Sequence, residues 1–146
     1  MITPVNIKSA VIKKLKDKYK DIRCYGTDVK EGLIMPSFFI ELVPTNISSQ
    51  TVNTIQNDFL LYITYMTEKK SEVDALNKAY EIQNLFWMKL KVLDRYINVT
   101  EYSFDFIGED SDTLQILVSL SYVDTFGKEE KQPFMNNVNF NTEMEE

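Results

Sequence analysis

The sequence predicts an α+β domain: two helices packed on one face of a mainly antiparallel sheet, in the order α-β-β-β-α-β-β. Three features lead to it. Apolar residues recur at helical spacing around residues 4–20 and 72–89. Apolar or alternating runs of strand length lie at 37–43, 55–66, 97–107 and 113–124. The chain has 146 residues, 44% of them hydrophobic, with only four glycines and four prolines. That length suits one domain able to bury about two thirds of its unfolded surface. Residues 1–126 form the domain in this reading, and 127–146 a polar, flexible C-terminal tail.

The elements follow in chain order. Thr3-Pro4 reads as an N-cap with proline at the first helical position. Ile7, Val11, Leu15 and Tyr19 then place one apolar stripe on a helix over 4–20, with lysines on the other face. Residues 22–25 form a brief β-prone segment, and 26–36 a loop broken by Gly26, Gly32 and Pro36. Residues 37–43 (SFFIELV) form a strong strand. The polar stretch 44–54 reads as the tip of a long exposed hairpin. In 55–66 both strand faces are largely apolar, as expected of a strand covered on both sides, by a helix on one and by another subunit on the other. Ser71 and Asp74 resemble a capping box at the start of the second helix, over 72–89. Its wide stripe, Val73, Leu76, Tyr80 and Trp87 beside Ala75, Ala79, Ile82 and Phe86, marks it as the main core helix. Residues 91–93 fit either a last helical turn or a strand. A hairpin over 97–107 and 113–124, turning at 108–112, closes the domain.

Composition excludes whole classes of function. With no histidine and one cysteine, the chain has no imidazole base, no His-ligated metal and no intramolecular disulfide. Net charge is −6, unfavourable for sequence-independent nucleic-acid binding. The charge is uneven. Residues 1–30 hold eight basic and three acidic side chains, +5, leaving −11 for the other 116. Unlike patches on one molecule favour head-to-tail contact between copies. The N-terminus shows no apolar leader and no run approaches a membrane span.

Candidate chemistry is sparse. Asp105, Glu109, Asp110 and Asp112 cluster in sequence, without the spacing of a calcium loop. An acidic solvated turn explains them more simply. Cys24 lacks a histidine partner, and Glu41 and Glu101 read as solvent-facing strand positions. No phosphate-cradling glycine motif occurs. The predicted site therefore contains no catalytic, metal or cofactor residue. The abundant aromatics, Tyr62, Tyr65, Phe38 and Phe39 among them, suggest subunit contact.

Three runs carry a resemblance. Ile12-Lys13-Lys14-Leu15 with Lys18-Tyr19 is followed by Cys24-Tyr25-Gly26-Thr27-Asp28-Val29-Lys30-Glu31-Gly32, and then by Met35-Pro36-Ser37-Phe38-Phe39-Ile40-Glu41-Leu42. Together with the aromatic strand Phe59–Tyr65 and the late Leu120–Asp124, they resemble the phage tail terminator proteins. These are small proteins of long-tailed phages, prophages and phage-tail-like bacteriocins. The resemblance covers about residues 5–126. It implies a structural, non-enzymatic protein that forms a ring of six copies, caps the head-proximal end of the tail tube and ends its polymerisation. Its implied partners are other copies of itself, the tube protein, and the sheath or head–tail connector. Its implied location is the host bacterial cytoplasm during assembly and then the particle. Neither nucleic acid nor membrane is an expected partner. The expected inter-subunit or tube contacts are Tyr25, Asp28, Lys30, Glu31, Phe39, Asn46, Ser48, Gln50 and Asn53. The alternatives are another neck or tail-completion protein, an adaptor using the C-terminal arm, or a metal-dependent hydrolase using the acidic residues.

Overall fold

The computed structural model describes residues 2–26 and 34–125. Its elements are α1 (Pro4–Lys18), β1 (Arg23–Tyr25), β2 (Ser37–Ser49), β3 (Thr54–Met66), α2 (Glu72–Leu85), β4 (Lys89–Val92), β5 (Arg95–Ile107) and β6 (Thr113–Thr125). The class is α+β. The strands form one sheet in the order β1-β2-β3-β6-β5-β4.

Two parts of the expected architecture are corrected. The sheet is mixed rather than mainly antiparallel: β1 runs parallel to β2, reached through the 26–36 connection, while β2–β3, β4–β5 and β5–β6 are antiparallel hairpins and β3 pairs antiparallel with β6 across the intervening α2, β4 and β5. Nor do the helices simply lie side by side on one face. The sheet is a half-barrel, and α1 touches β1 and β2 at one edge and β4 at the other. The twist of a six-stranded sheet brings its edges towards one helix. An added strand, β4, makes the order α-β-β-β-α-β-β-β.

Local chemistry explains the boundaries. Thr3 Oγ1 accepts from the Asn6 N–H, and Asn6 Oδ1 accepts from the Thr3 N–H, a reciprocal cap that starts α1. Ser71 caps α2 through the Asp74 N–H. Helix α2 stops at Leu85 because Phe86 caps it and Met88 takes a left-handed φ of 61°, which turns the chain into β4. Strand β2 continues through Pro44 to Ser49 instead of ending at residue 43. It can do so because β1 covers only Ser37–Phe39, so Pro44 sits on an edge that needs no N–H donor. A bulge between Pro44 and Asn46 absorbs the irregularity.

One core joins all elements. Ile7, Val11 and Leu15 of α1 and Ala75, Ala79 and Ile82 of α2 meet Phe38, Ile40, Leu61, Ile63, Ile116 and Val118 from the sheet. In β3, Phe59, Leu61, Ile63 and Tyr65 are buried, and the alternate Leu60, Tyr62 and Met66 are half-buried.

Candidate functional site

The candidate residues fall at two separate places, and three of them, Asp28, Lys30 and Glu31, lie outside the described residues. The first place is the β1–β2 corner. Parallel pairing sets Tyr25 opposite Phe39, with ring centroids 6.0 Å apart. The Tyr25 hydroxyl accepts from the Ile34 N–H at 3.2 Å, which ties the far end of the intervening loop to the strand. Both rings are half-buried and belong to the sheet edge.

The second place is the β2–β3 hairpin end, which holds Asn46, Ser48, Gln50 and Asn53. Nine residues separate Phe39 from Ser48, roughly 30 Å of extended strand, so the two places cannot share one small ligand. The tip is built by short polar contacts. Gln50 N–H donates to the Thr54 carbonyl at 2.9 Å, Thr51 and Thr54 hydroxyls pair at 2.7 Å, and the Asn53 N–H meets Thr51 Oγ1 at 3.2 Å. At its base Asp58 gathers Asn46 Nδ2 and Gln56 Nε2. Hydrogen bonds from Ser121, Gln56 and Asn46 outweigh a small burial effect and hold the Asp58 carboxyl below the usual carboxylate range. Val52 stands 88% exposed at the apex, with Ile47 exposed below it. Neither stands out in the sequence, because each sits among polar neighbours; the available signal is a lone apolar residue, in the turn for Val52 and near the end of β2 for Ile47.

Elsewhere the helix reading is overturned in part. Of the two expected stripes, Ala75, Ala79 and Ile82 on α2, with Phe86 just past its end, are buried. Val73, Leu76 and Tyr80, with Trp87 beyond the helix end, face solvent. A helix lying on a sheet buries the side that faces it, and the second stripe lies outside that side. Tyrosines pin α2 instead: Tyr65 Oη donates to Asp74 at 2.9 Å, Tyr19 Oη to Glu81 at 2.6 Å, and Tyr102 Oη to the Ala79 carbonyl. Burial, reinforced by Asp74, pushes the Tyr65 phenol up to about 12. Burial and Glu81 push Tyr19 higher still, and burial raises Tyr102. All three therefore remain neutral donors.

The remaining chemical candidates do not assemble. Among the described residues, no group of three or more acidic or cysteine side chains is placed to hold a metal ion. Asp112 approaches Lys70 at 3.9 Å, and Asp105 accepts from the Phe106 N–H. Burial raises the Cys24 thiol despite Lys16 nearby, which disfavours a thiolate nucleophile. No described helix is long and apolar enough to cross a membrane.

Besides the outer edges of the short β1 and β4, two long stretches of strand edge stay open among the described residues. Among the described residues, β2 beyond Phe39 pairs only with β3, and β5 from Glu101 onward pairs only with β6. Such edges carry rows of unpaired backbone groups and are natural sites for a neighbouring chain.

The family profile described as phage tail terminator protein matches residues 6–132. One similar solved structure covers 91% of this chain and 99% of its own, at 15% identity and a TM-score of 0.49. No curated protein matches the sequence.

Proposed function

The chain belongs to the phage tail terminator family, and from that premise we propose that it closes into a ring of six copies that caps the head-proximal end of a tail tube. The family is structural, and a role in tail assembly follows from membership. The ring, the capping and the connection to sheath or head–tail connector are our reading. The tail tube protein and further copies of the chain are its proposed partners, met in the host cytoplasm before the particle is complete.

The observation that carries the reading is the pair of unlike open edges on one molecule. A head-to-tail ring needs two different surfaces on each copy, and the opposed charges of the N-terminal 30 residues and the remainder favour the same geometry. Tyr25, Phe39 and the loop with Asp28, Lys30 and Glu31 serve the neighbouring copy in this proposal. Asn46, Ser48, Gln50 and Asn53 at the hairpin end serve the tube. A protruding β-hairpin suits docking on a tube because it presents backbone groups and side chains beyond the body of the fold.

Electron microscopy of tail particles, with mass measurement of the purified protein, tests the reading. A six-membered ring at one tube end is the expected result. A chain absent from every particle and monomeric alone and with tube protein overturns it.

A further inference from the structure

Alternation along four adjacent strands sorts their side chains into two sets. One set, Phe38, Leu61, Ile116 and Tyr102 among it, meets the helices. The other points the opposite way. The register lines this outward set up in rows across β2, β3, β6 and β5. Glu41 lies beside Tyr62, Leu117 and Ser103, and Val43 beside Leu60, Ser119 and Glu101. Phe39, Val43, Leu60, Tyr62 and Leu117 are half-buried at the centre of this face. Their polar neighbours bond within the sheet, as Gln115 Nε2 does to Thr64 Oγ1, and Phe39 packs on Tyr25 of β1.

Charge on this face has one sign. Its ionisable outward side chains from residue 39 to 43, 58 to 66, 101 to 107 and 113 to 121 are Glu41, Asp58, Glu101 and Asp105, with no lysine or arginine among them. Lys89 and Lys91 of β4 lie beyond it, against Tyr96. The opposite charge is concentrated on α1. Lys8, Lys13, Lys14, Lys16 and Lys18 outnumber Asp17, which is tied to Lys13 at 3.2 Å. Past the helix end, Lys20 shares a shallow cleft with Lys16 and Arg23, where Asp21 is the single acid.

Within one chain the sheet separates the two surfaces. Ile7, Val11 and Leu15 hold α1 against the inward set, so most of its lysines cannot reach the outward face. The two approach each other only at the β2 edge, where Glu41 lines a groove with Val5 and Lys8. Between chains the dimensions match. Four strands spaced about 4.8 Å apart span roughly 14 Å, and the 15 residues of α1 extend roughly 22 Å.

We propose that the outward face of β2, β3, β6 and β5 receives the lysine-rich surface of α1 from a second copy of this chain. The inference rests on the ring reading above and names the two surfaces that meet in it. Charge complementarity selects this occupant, because α1 is the most basic element of the described chain and the face carries only acids. The contact is head-to-tail, since each copy offers one surface of each kind. Apolar side chains at the centre exclude water and so weaken the screening of the charges around them.

The test reverses charge on either side of the contact in the full chain. One variant carries K16E and K20E, the other E101K and D105K, and all four residues are exposed. Mass photometry with tube protein present follows assembly, and thermal unfolding midpoints equal to that of the natural chain show that both variants fold. Each variant alone is expected to need about tenfold more protein to form rings. An equimolar mixture is expected to assemble like the natural chain, because reversed α1 then meets reversed sheet in alternating copies. In the natural chain, carbodiimide coupling of mixed isotopically heavy and light protein is expected to link Lys16 or Lys20 to Glu101 or Asp105 between heavy and light chains. Natural rings that both variants form equally well overturn this contact and leave the ring standing. Loss of assembly that mixing does not restore overturns it too, as do links from Glu101 and Asp105 only to tube protein or to Lys128 and Lys131. A natural chain that stays monomeric with tube protein overturns the ring reading and this contact together.

Discussion

Asp124 is the one buried charged residue in the described core. Burial alone would raise its carboxyl, but the N–H groups of Ile2 and Thr125 and the Arg95 guanidinium more than reverse this and hold it below the ordinary carboxylate range. A depressed folded-state value means that this contribution is present above the unfolded pKa of about 3.9 and is lost as pH falls through the lower folded one. Urea unfolding between pH 2 and 7 should show that acid limb, and Asp124→Asn should flatten it. Asp124→Ala, which leaves the Ile2 N–H and Arg95 without their acceptor, should cost about 2 kcal/mol in the same measurement at pH 7. Ser37 presents the opposite case. Its hydroxyl is fully buried and finds no hydrogen-bond partner among the described residues. Ser37→Ala should therefore stabilise the fold by about 1 kcal/mol, and a lower midpoint in thermal unfolding would contradict this.

At the scale of elements, the β2–β3 hairpin and the β4–β5 turn carry surface features that stability does not explain. Replacing Asn46, Gln50, Val52 and Asn53 together with alanine should change unfolding free energy by less than about 1 kcal/mol, because all four are exposed. The same variant should fail to limit tube length in an assembly assay. Normal tube lengths would remove the hairpin from the proposed contact. Leu93→Gly relieves a left-handed φ with little packing to lose. It should stabilise the domain by about 0.5–1 kcal/mol despite the entropy cost of glycine, as read by denaturant midpoint. Much of this scale was legible beforehand. Thr3-Pro4 and Ser71 announce their helix starts because capping is a contact between near neighbours. The length of β2 was not legible, since Pro44 normally ends a strand and is tolerated only where no second neighbour needs its N–H. The exposed stripe of Val73, Leu76 and Tyr80 was also beyond sequence. Periodicity reports that a helix has an apolar face, while the side turned to the sheet decides how much of it is covered.

For the whole molecule, the division between a basic N-terminal 30 residues and an acidic remainder bears on assembly. If unlike patches draw copies together, ring formation should weaken as salt rises from 0.05 to 0.5 M, where the screening length falls below about 5 Å. Sedimentation or mass photometry with tube protein present would measure it. A salt-independent ring would assign closure to the open edges and apolar contacts alone.

The sequence by itself determined the α+β class, the family resemblance, the position of the long hairpin and the sites of most strands. These depend on periodicity, caps and turn residues, which act over a few neighbours. Only the tertiary structure decided that β1 pairs in parallel, that 89–92 forms a sixth strand, and that α1 spans both edges of a half-barrel. It also brought Arg95, Asp124 and Ile2 together across 122 residues of chain. Such pairings depend on which surfaces remain to be buried once the local elements exist, and no local pattern encodes that choice.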